Sequence, residues 1–361
     1  MKVLHLYPKS DSLIERYVTC LVEGMRQSAQ IKKTDNIAIF RQLLKEMEPD
    51  IVHVHGCWQY GIARAASSAI KRGARLVITL HGQLEPWIIK QKGPQENIFK
   101  TLLWQRKYIE QAYSIITLGK LELDNFKKLG WNKRTEEIHN AVITNTISEA
   151  AMCSRLFAVY QKVMDSNTLE QMNKDSELAL AAIIKASITG DRRWLDGTQH
   201  LLFDTKQINW RHLLVYAEHE NIRNYIDYGI NILGLSTPLI ETKQINAYFP
   251  DYYTKPLPIK ELIGDYNGNE NDYLMRIIRQ INKQPLLLHL IELTRELYRN
   301  TVNDEQLIDL LEEKGLASYT ARLMQILQEQ TLIDEGFMPI TPIDDKQTKH
   351  IRNLLTNHLK I

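Results

Sequence analysis

Residues 74–93 read "ARLVITLHGQLEPWIIKQKG". The first half, through Leu80, is an apolar, β-branched run of the length of a buried strand. The second half breaks that pattern. His81 and Gly82 punctuate the strand's end, and Pro86, Trp87, Lys90 and Lys92 follow within a dozen residues. A run this uniformly apolar belongs in a parallel sheet covered by helices on both faces. In such sheets ligands sit outside the carboxyl ends of the strands, where His81 and Gly82 fall. Glycine there lets backbone N–H groups approach a ligand closely, and His81 can donate to a sugar hydroxyl or a phosphate.

A second segment repeats the arrangement. "DIVHVHG" (50–56) carries His53, His55 and Gly56 to the same rim. The two histidines share a face because strand side chains alternate. Cys57 is adjacent, which raises a metal site. No third ligand has metal-site spacing, however, and a satisfied buried pair or a cleft lining accounts for two histidines on a strand, so no metal is assigned.

Outward from these strands the chain alternates short apolar runs with amphipathic ones. Strands are expected at 2–7, 50–56, 75–80, 114–118 and 135–142. Helices are expected at 13–28 (capped by Ser12, with Glu15 at the capping-box position), at 36–47, through Ala63–Ala69, at 97–112 and at 121–129. This alternation means βαβ units and a parallel sheet. After residue 148 helical periodicity replaces it, over 148–165, 178–187, 210–233, 272–282, 285–298, 305–313, 318–330 and the closing segment. The expected fold is therefore α/β: a Rossmann-like parallel sheet domain over 1–147, followed by an all-helical domain over 148–361.

Composition agrees with a globular, non-disordered chain: 361 residues, 44% hydrophobic and 24% charged. The net charge of +2 hides an asymmetry. Residues 1–147 hold 22 basic against 14 acidic residues, +8, and the remainder 23 against 29, −6. The basic half favours an anionic ligand such as a phosphate ester, or is a solvated surface with lysine to spare. Three widely spaced cysteines give neither a disulfide framework nor a CxxC metal pair. With no signal-peptide core and no apolar stretch of membrane-spanning length, the expectation is a cytoplasmic protein, membrane-peripheral at most.

Taken together, "DIVHVHG", "ITLHGQLEPWIIKQKG", "SIITLGKLELDNFKKLG" and "EEIHNAV" resemble the amino-terminal half of family 4 glycosyltransferases. Bacterial members carry a His-Gly-x-Leu-x-Pro-Trp segment, then a Thr-x-x-Glu helix, then a strand ending Pro-Asn-Gly-Val. Here these correspond in order and spacing to His81–Trp87, Thr117–Glu122 and His139–Val142. The resemblance covers about residues 1–147. It implies a GT-B amino-terminal half and retaining transfer from a nucleotide-sugar, which is a substrate rather than a cofactor. It implies that His81 is catalytic and that His55, Gly56, Gly82, Glu85, Trp87, Lys90, Lys92 and Asn140 bind substrate. Trp87 would offer a face to a sugar ring, and the lysines would suit a phosphorylated or lipid-diphosphate acceptor.

The chain also departs from that family. Its first strand leads into "PKSDSLIERYV" in place of a Gly-Gly turn, and only about twenty residues separate the first helix from "DIVHVHG". Asn140-Ala141-Val142 replaces Asn-Gly-Val. Residues 148–361 hold no Gly-rich turn to cradle a diphosphate, and the Glu-x7-Glu spacings Glu15/Glu23 and Glu305/Glu313 lack the family's Gly-Pro context. Three readings follow. One is a divergent transferase of polysaccharide or glycolipid assembly, with a partner protein allowed. The second is a non-catalytic binding or regulatory protein built on a glycosyltransferase half. The third, nucleic-acid binding through the basic tail (Lys346, Lys349, Arg352, Lys360), is opposed by the −6 charge of its own half.

Overall fold

Six parallel strands form one sheet: β1 (Lys2–Leu6), β2 (Gln30–Thr34), β3 (Ile51–His55), β4 (Arg75–Thr79), β5 (Ser114–Thr117) and β6 (Thr135–Glu137), in the order β2-β1-β3-β4-β5-β6. The computed structural model describes residues 1–9, 11–91, 104–191, 204–264, 268–299 and 303–361. These fall into two units, Met1–Met164 and Asp165–Ile361. β3 and β4 are buried along their whole length, as central strands covered on both faces must be. β2 is a strand the apolar pattern did not mark. Its sequence, QIKKT, carries two lysines, and its alternating burial is that of a sheet edge. From β1 the chain steps to β2 on one side and then to β3 on the other. The carboxyl ends of β1 and β3 therefore flank a topological switch point, where a crevice opens in doubly wound sheets.

The helices of this unit are α1 (Ser12–Met25), α2 (Ile37–Met47), α3 (Tyr60–Ile70), α4 (Pro86–Gln91), α5 (Arg106–Glu110), α6 (Lys120–Leu129) and α7 (Glu149–Asp165). Asp11, not Ser12, caps α1, and its carboxylate accepts from the Leu13 and Ile14 amides at 3.0 and 3.1 Å. Of the helix expected over 97–112, the part up to residue 103 lies outside the described residues. The strand expected over 135–142 pairs only through Glu137, because Asn140 closes a turn, its side chain accepting from the Val142 amide at 2.9 Å. α7, which helical periodicity groups with the second half, lies almost wholly in the first unit. Its Leu156, Tyr160 and Val163 are buried, and Arg75 of β4 donates to the Val163 carbonyl.

The second unit contains α8 (Lys174–Thr189), α9 (Trp210–His219), α10 (Arg223–Leu233), α11 (Ile259–Ile263), α12 (Glu270–Lys283), α13 (Leu287–Tyr298), α14 (Asp304–Glu313), α15 (Ala317–Thr331) and α16 (Lys346–Asn357). As expected, it has no strand among its described residues. The single helix expected over 210–233 is two. Asn221 takes a left-handed φ of 57°, and the Ile222 amide bonds back to the Ala217 carbonyl at 2.9 Å, ending α9. α8 is the central helix, buried from Ala179 to Ala186. Its Lys185 is 1% exposed, and the ammonium is matched by Asp334 at 2.8 Å, the Leu332 carbonyl at 2.7 Å and the Tyr298 hydroxyl. The basic tail is also compensated: Arg352 reaches Glu329 at 2.6 Å and Asp344 at 2.8 Å, and Lys360 pairs with Glu170.

α10 packs on α8 with no room for a side chain at Gly229, where an added Cβ would stand 2.1 Å from the Ile183 carbonyl oxygen. Gly229→Ala must therefore separate the two helices. It is expected to lower unfolding stability by about 1–3 kcal/mol, measured by urea titration of wild type and variant.

Candidate functional site

β1 and β3 are in register with His5 opposite His53, and β3 and β4 with His55 opposite Thr79. Alternation puts His53 and His55 on one face, and the structure adds His5 to them. His5, His53 and His55 are each 0% exposed. The rings of His53 and His55 lie 4.2 Å apart, those of His5 and His55 are stacked at 5.2 Å, and those of His55 and His81 lie 5.3 Å apart. The Tyr17 ring of α1 stands edge-on to His55 and His81.

The polar atoms of this stack form one unbranched chain. Thr79 Oγ1 lies 2.7 Å from His53 Nε2, and His53 Nδ1 lies 2.6 Å from the Tyr160 hydroxyl. That hydroxyl is 3.4 Å from His5 Nε2. His5 Nδ1 is 2.9 Å from His55 Nε2, and His55 Nδ1 is 3.1 Å from His81 Nε2. Burial pushes the His5 imidazole down to about 3, with Lys33 adding to the effect, and His81 down to about 4 against the pull of Asp11. His53 and His55 are held well below the usual histidine range by burial and then by their neighbouring rings. All four rings are neutral near pH 7. His5, His53 and His55 each offer a nitrogen within 4.8 Å of the others, a donor set suited to a borderline metal ion. Each of those nitrogens is already engaged in the hydrogen-bond chain.

At the carboxyl rim, His81 and Gly82 take consecutive left-handed φ values of 54° and 73°. For histidine this region is uncommon, and such outliers persist only where the surroundings enforce them. The enforcing group is Glu122 of α6, a buried carboxylate that accepts from the Gly82 amide and, at 2.6 Å, from the Leu118 amide. Burial raises its carboxyl against the lowering effect of those two amides. Gln83 fixes the neighbouring loop. Its side chain accepts from the Cys57 amide, and its carbonyl accepts from the Trp58 indole at 2.8 Å.

The structure thus brings His55, Gly56, His81 and Gly82 together at the carboxyl ends of β3 and β4. Gly56 spends its amide on the Thr79 carbonyl at 2.8 Å, and Gly82 spends its own on Glu122. The backbone donors expected to face a ligand are therefore used internally. Glu85 is buried and accepts from Asn125 of α6 at 2.7 Å, so it anchors the loop. Trp87 is 58% exposed. Lys92 and the side chain of Lys90 lie outside the described residues. Asn140 follows edge strand β6 and is occupied by its own turn. Sequence reasoning missed His5, Thr79, Tyr17, Tyr160 and the role of Glu122. The histidine in "KVLHLY" was the one available signal for His5, and nothing local marks Tyr160, which comes from α7. A cavity of about 590 Å³ in the helical unit is lined by residues including Glu170, Glu177, Tyr216 and, from the basic tail, Lys360; it contains none of the rim residues singled out in the sequence.

A doubly wound sheet with a histidine-glycine rim at its switch point defines the class of this region. Residues 15–146 match the family model of Glycosyltransferase Family 4. The match is confined to this amino-terminal region, and the rest of the chain has no family match. No curated protein and no solved structure matches the chain. Among the described residues no helix is long and apolar enough to cross a membrane.

The depressed histidines make stability depend on pH. An unfolded imidazole binds a proton below about pH 6.5, whereas buried His53 does not until far lower, so the unfolded state gains protons as pH falls and stability drops. Glu220, pushed up to about 8 by burial, acts in the opposite sense, so the comparison must be differential. Between pH 7 and pH 5, wild type is expected to lose more stability than His53→Gln, by at most about 1.4 kcal/mol per pH unit below 6.5. Urea unfolding at the two pH values checks this. An equal loss in both proteins would mean that His53 is not held neutral.

Proposed function

We propose that this chain is a divergent glycosyltransferase that moves a sugar from a nucleotide-sugar in polysaccharide or glycolipid assembly, with ligand bound on the rim formed by His55, Gly56, His81 and Gly82. The observation that carries this reading is the coincidence of the family 4 region with the carboxyl edge of the sheet, where His81, one strand from the switch point, sits in a strained turn. In this reading His81 hydrogen-bonds the reacting sugar, the exposed Trp87 indole offers a face to a sugar ring, and Lys90 and Lys92 meet a phosphorylated acceptor. The reading places the protein in the cytoplasm, at a membrane surface where the acceptor is a lipid, and a partner protein fits it as well.

A second reading, a binding or regulatory protein without turnover, draws on two observations. The Gly82 amide and the Glu85 carboxylate are consumed by Glu122 and Asn125, and the second unit has no strand among its described residues. Nucleic-acid binding through the tail is disfavoured, because Arg352 and Lys360 are paired with carboxylates.

Titration with UDP- and GDP-sugars tests the first reading. A bound ligand must raise the melting temperature by mass action, corresponding to about 2.7 kcal/mol at a hundredfold excess over Kd. His81→Ala is expected to cut turnover about 10²–10³-fold. Binding without turnover in wild type would favour the second reading, and no binding of any nucleotide-sugar would remove the donor from the proposal.

A further inference from the structure

Each neutral imidazole has one N–H donor and one bare nitrogen acceptor. In the chain Thr79–His53–Tyr160–His5–His55–His81 every interior group bonds on both sides. A ring that accepts on one side must therefore donate on the other. The Tyr160 hydroxyl could accept from both neighbouring rings only by leaving its own buried O–H without an acceptor among the described residues. The proton order is therefore all-or-none, running either from Thr79 toward His81 or from His81 toward Thr79.

The buried end decides between them. Among the described residues, the Thr79 hydroxyl has His53 as its hydrogen-bond partner. Its neighbour, the buried Tyr17 hydroxyl, has no partner other than Thr79 among the described residues. If the protons ran toward Thr79, either Thr79 or Tyr17 would hold a buried O–H without an acceptor, the costly kind of unsatisfied group. If they run from Thr79, its proton goes to His53 Nε2, and its lone pairs are left free on the Tyr17 side. Following that order, His53 Nδ1–H donates to Tyr160, Tyr160 to His5 Nε2, His5 Nδ1–H to His55 Nε2, and His55 Nδ1–H to His81 Nε2. The one remaining ring nitrogen at the rim is His81 Nδ1, and it must carry the proton.

We propose that Thr79, His53, Tyr160, His5 and His55 are positioning residues that fix His81 in its Nδ1–H form, so that the rim presents a neutral N–H donor to an acceptor atom of its ligand, a hydroxyl, carbonyl or phosphoryl oxygen. Free neutral imidazole prefers the Nε2–H form, so this assignment departs from what an isolated ring would show. It also removes His81 from use as a base at neutral pH, because its bare nitrogen is turned inward to accept from His55. The assignment rests on the proposed function in one respect, that a ligand binds at this rim; the proton order does not depend on what that ligand is.

Long-range 1H–15N spectra of the full chain, 15N-labelled on its eleven histidines and recorded without ligand near pH 7, test it. Assignment uses single His→Gln variants. The expected result is that His5, His53, His55 and His81 are all neutral and all protonated on Nδ1. Tyr160→Phe cuts the chain at its longest link, and Thr79→Val removes its proton source. Both are expected to shift His81 toward the Nε2–H form, although neither residue touches His81, while Thr79→Ser restores Nδ1–H. Loss of packing alone would not move a tautomer two rings away.

Nε2–H at His81 in wild type overturns the proposal, and this needs no variant to fold. A cationic ring among the four overturns it too, as does a His81 signal unchanged in both cut variants. A tightly held transition metal ligated by His5, His53 and His55 would also overturn it, since ligating nitrogens cannot carry the chain's protons. Failure of UDP- and GDP-sugars to bind would count against the proposed function while leaving the spectrum, and the proton order, as measured.

Discussion

Four imidazoles share one desolvated stack, and this constraint governs the amino-terminal unit. A charged ring there would face neighbouring rings with no carboxylate in the hydrogen-bond chain to balance it, so the stack must be neutral. A neutral stack must in turn be bonded head to tail, because a buried nitrogen without a partner is costly. These two requirements set the register of β1 against β3. A one-residue slip would send His5 to the opposite face of the sheet and leave Tyr160 and His55 each short of a bond. They also account for a helix of the first unit that strand-and-helix periodicity alone does not assign to it: α7 supplies the Tyr160 hydroxyl that joins His53 to His5.

This constraint explains what could be read in advance. The parallel sheet was legible because β3 and β4 are rich in β-branched residues and each runs into a His-Gly pair. The helical second half was legible because its apolar residues recur at helical spacing. β2 was not, since an edge strand with two lysines and alternating exposure has no apolar run to betray it. The break at Asn221 was not either, because a left-handed residue inside a helical pattern depends on backbone bonds that periodicity does not encode. α7 shows a third limit: an amphipathic pattern says that a helix has an apolar face and not which unit will cover it.

The site divides the same way. His81 and Gly82 could be placed at the rim from the end of a single strand. The uses to which their neighbours are put could not, because these depend on partners forty residues away. Glu122 consumes the Gly82 amide, and Asn125 holds Glu85. Both partners lie on α6, one turn apart on the same face, so a single helix locks both ends of the "HGQLE" turn. Residues that look like ligand donors in the sequence thus serve as the frame that keeps His81 at a φ of 54°.

That frame bears on what kind of ligand the rim can hold. One neutral ring at the rim backed by three buried ones, two glycines and a carboxylate already satisfied by backbone amides offer shape and directed hydrogen bonds but little positive charge. Such a surface discriminates hydroxylated ligands by donor and acceptor placement, with the large selectivity that buried polar groups give when a partner is missing. It is poorly equipped to offset the charge of a departing diphosphate, which calls for cations or unspent backbone N–H groups. Within the proposed transfer, the histidine rim is therefore the wall that recognises the sugar. Stabilisation of the leaving group has to come from elsewhere in the chain or from a partner, and this is why the amides already spent at Gly56 and Gly82 weigh on the mechanism as much as the histidines do.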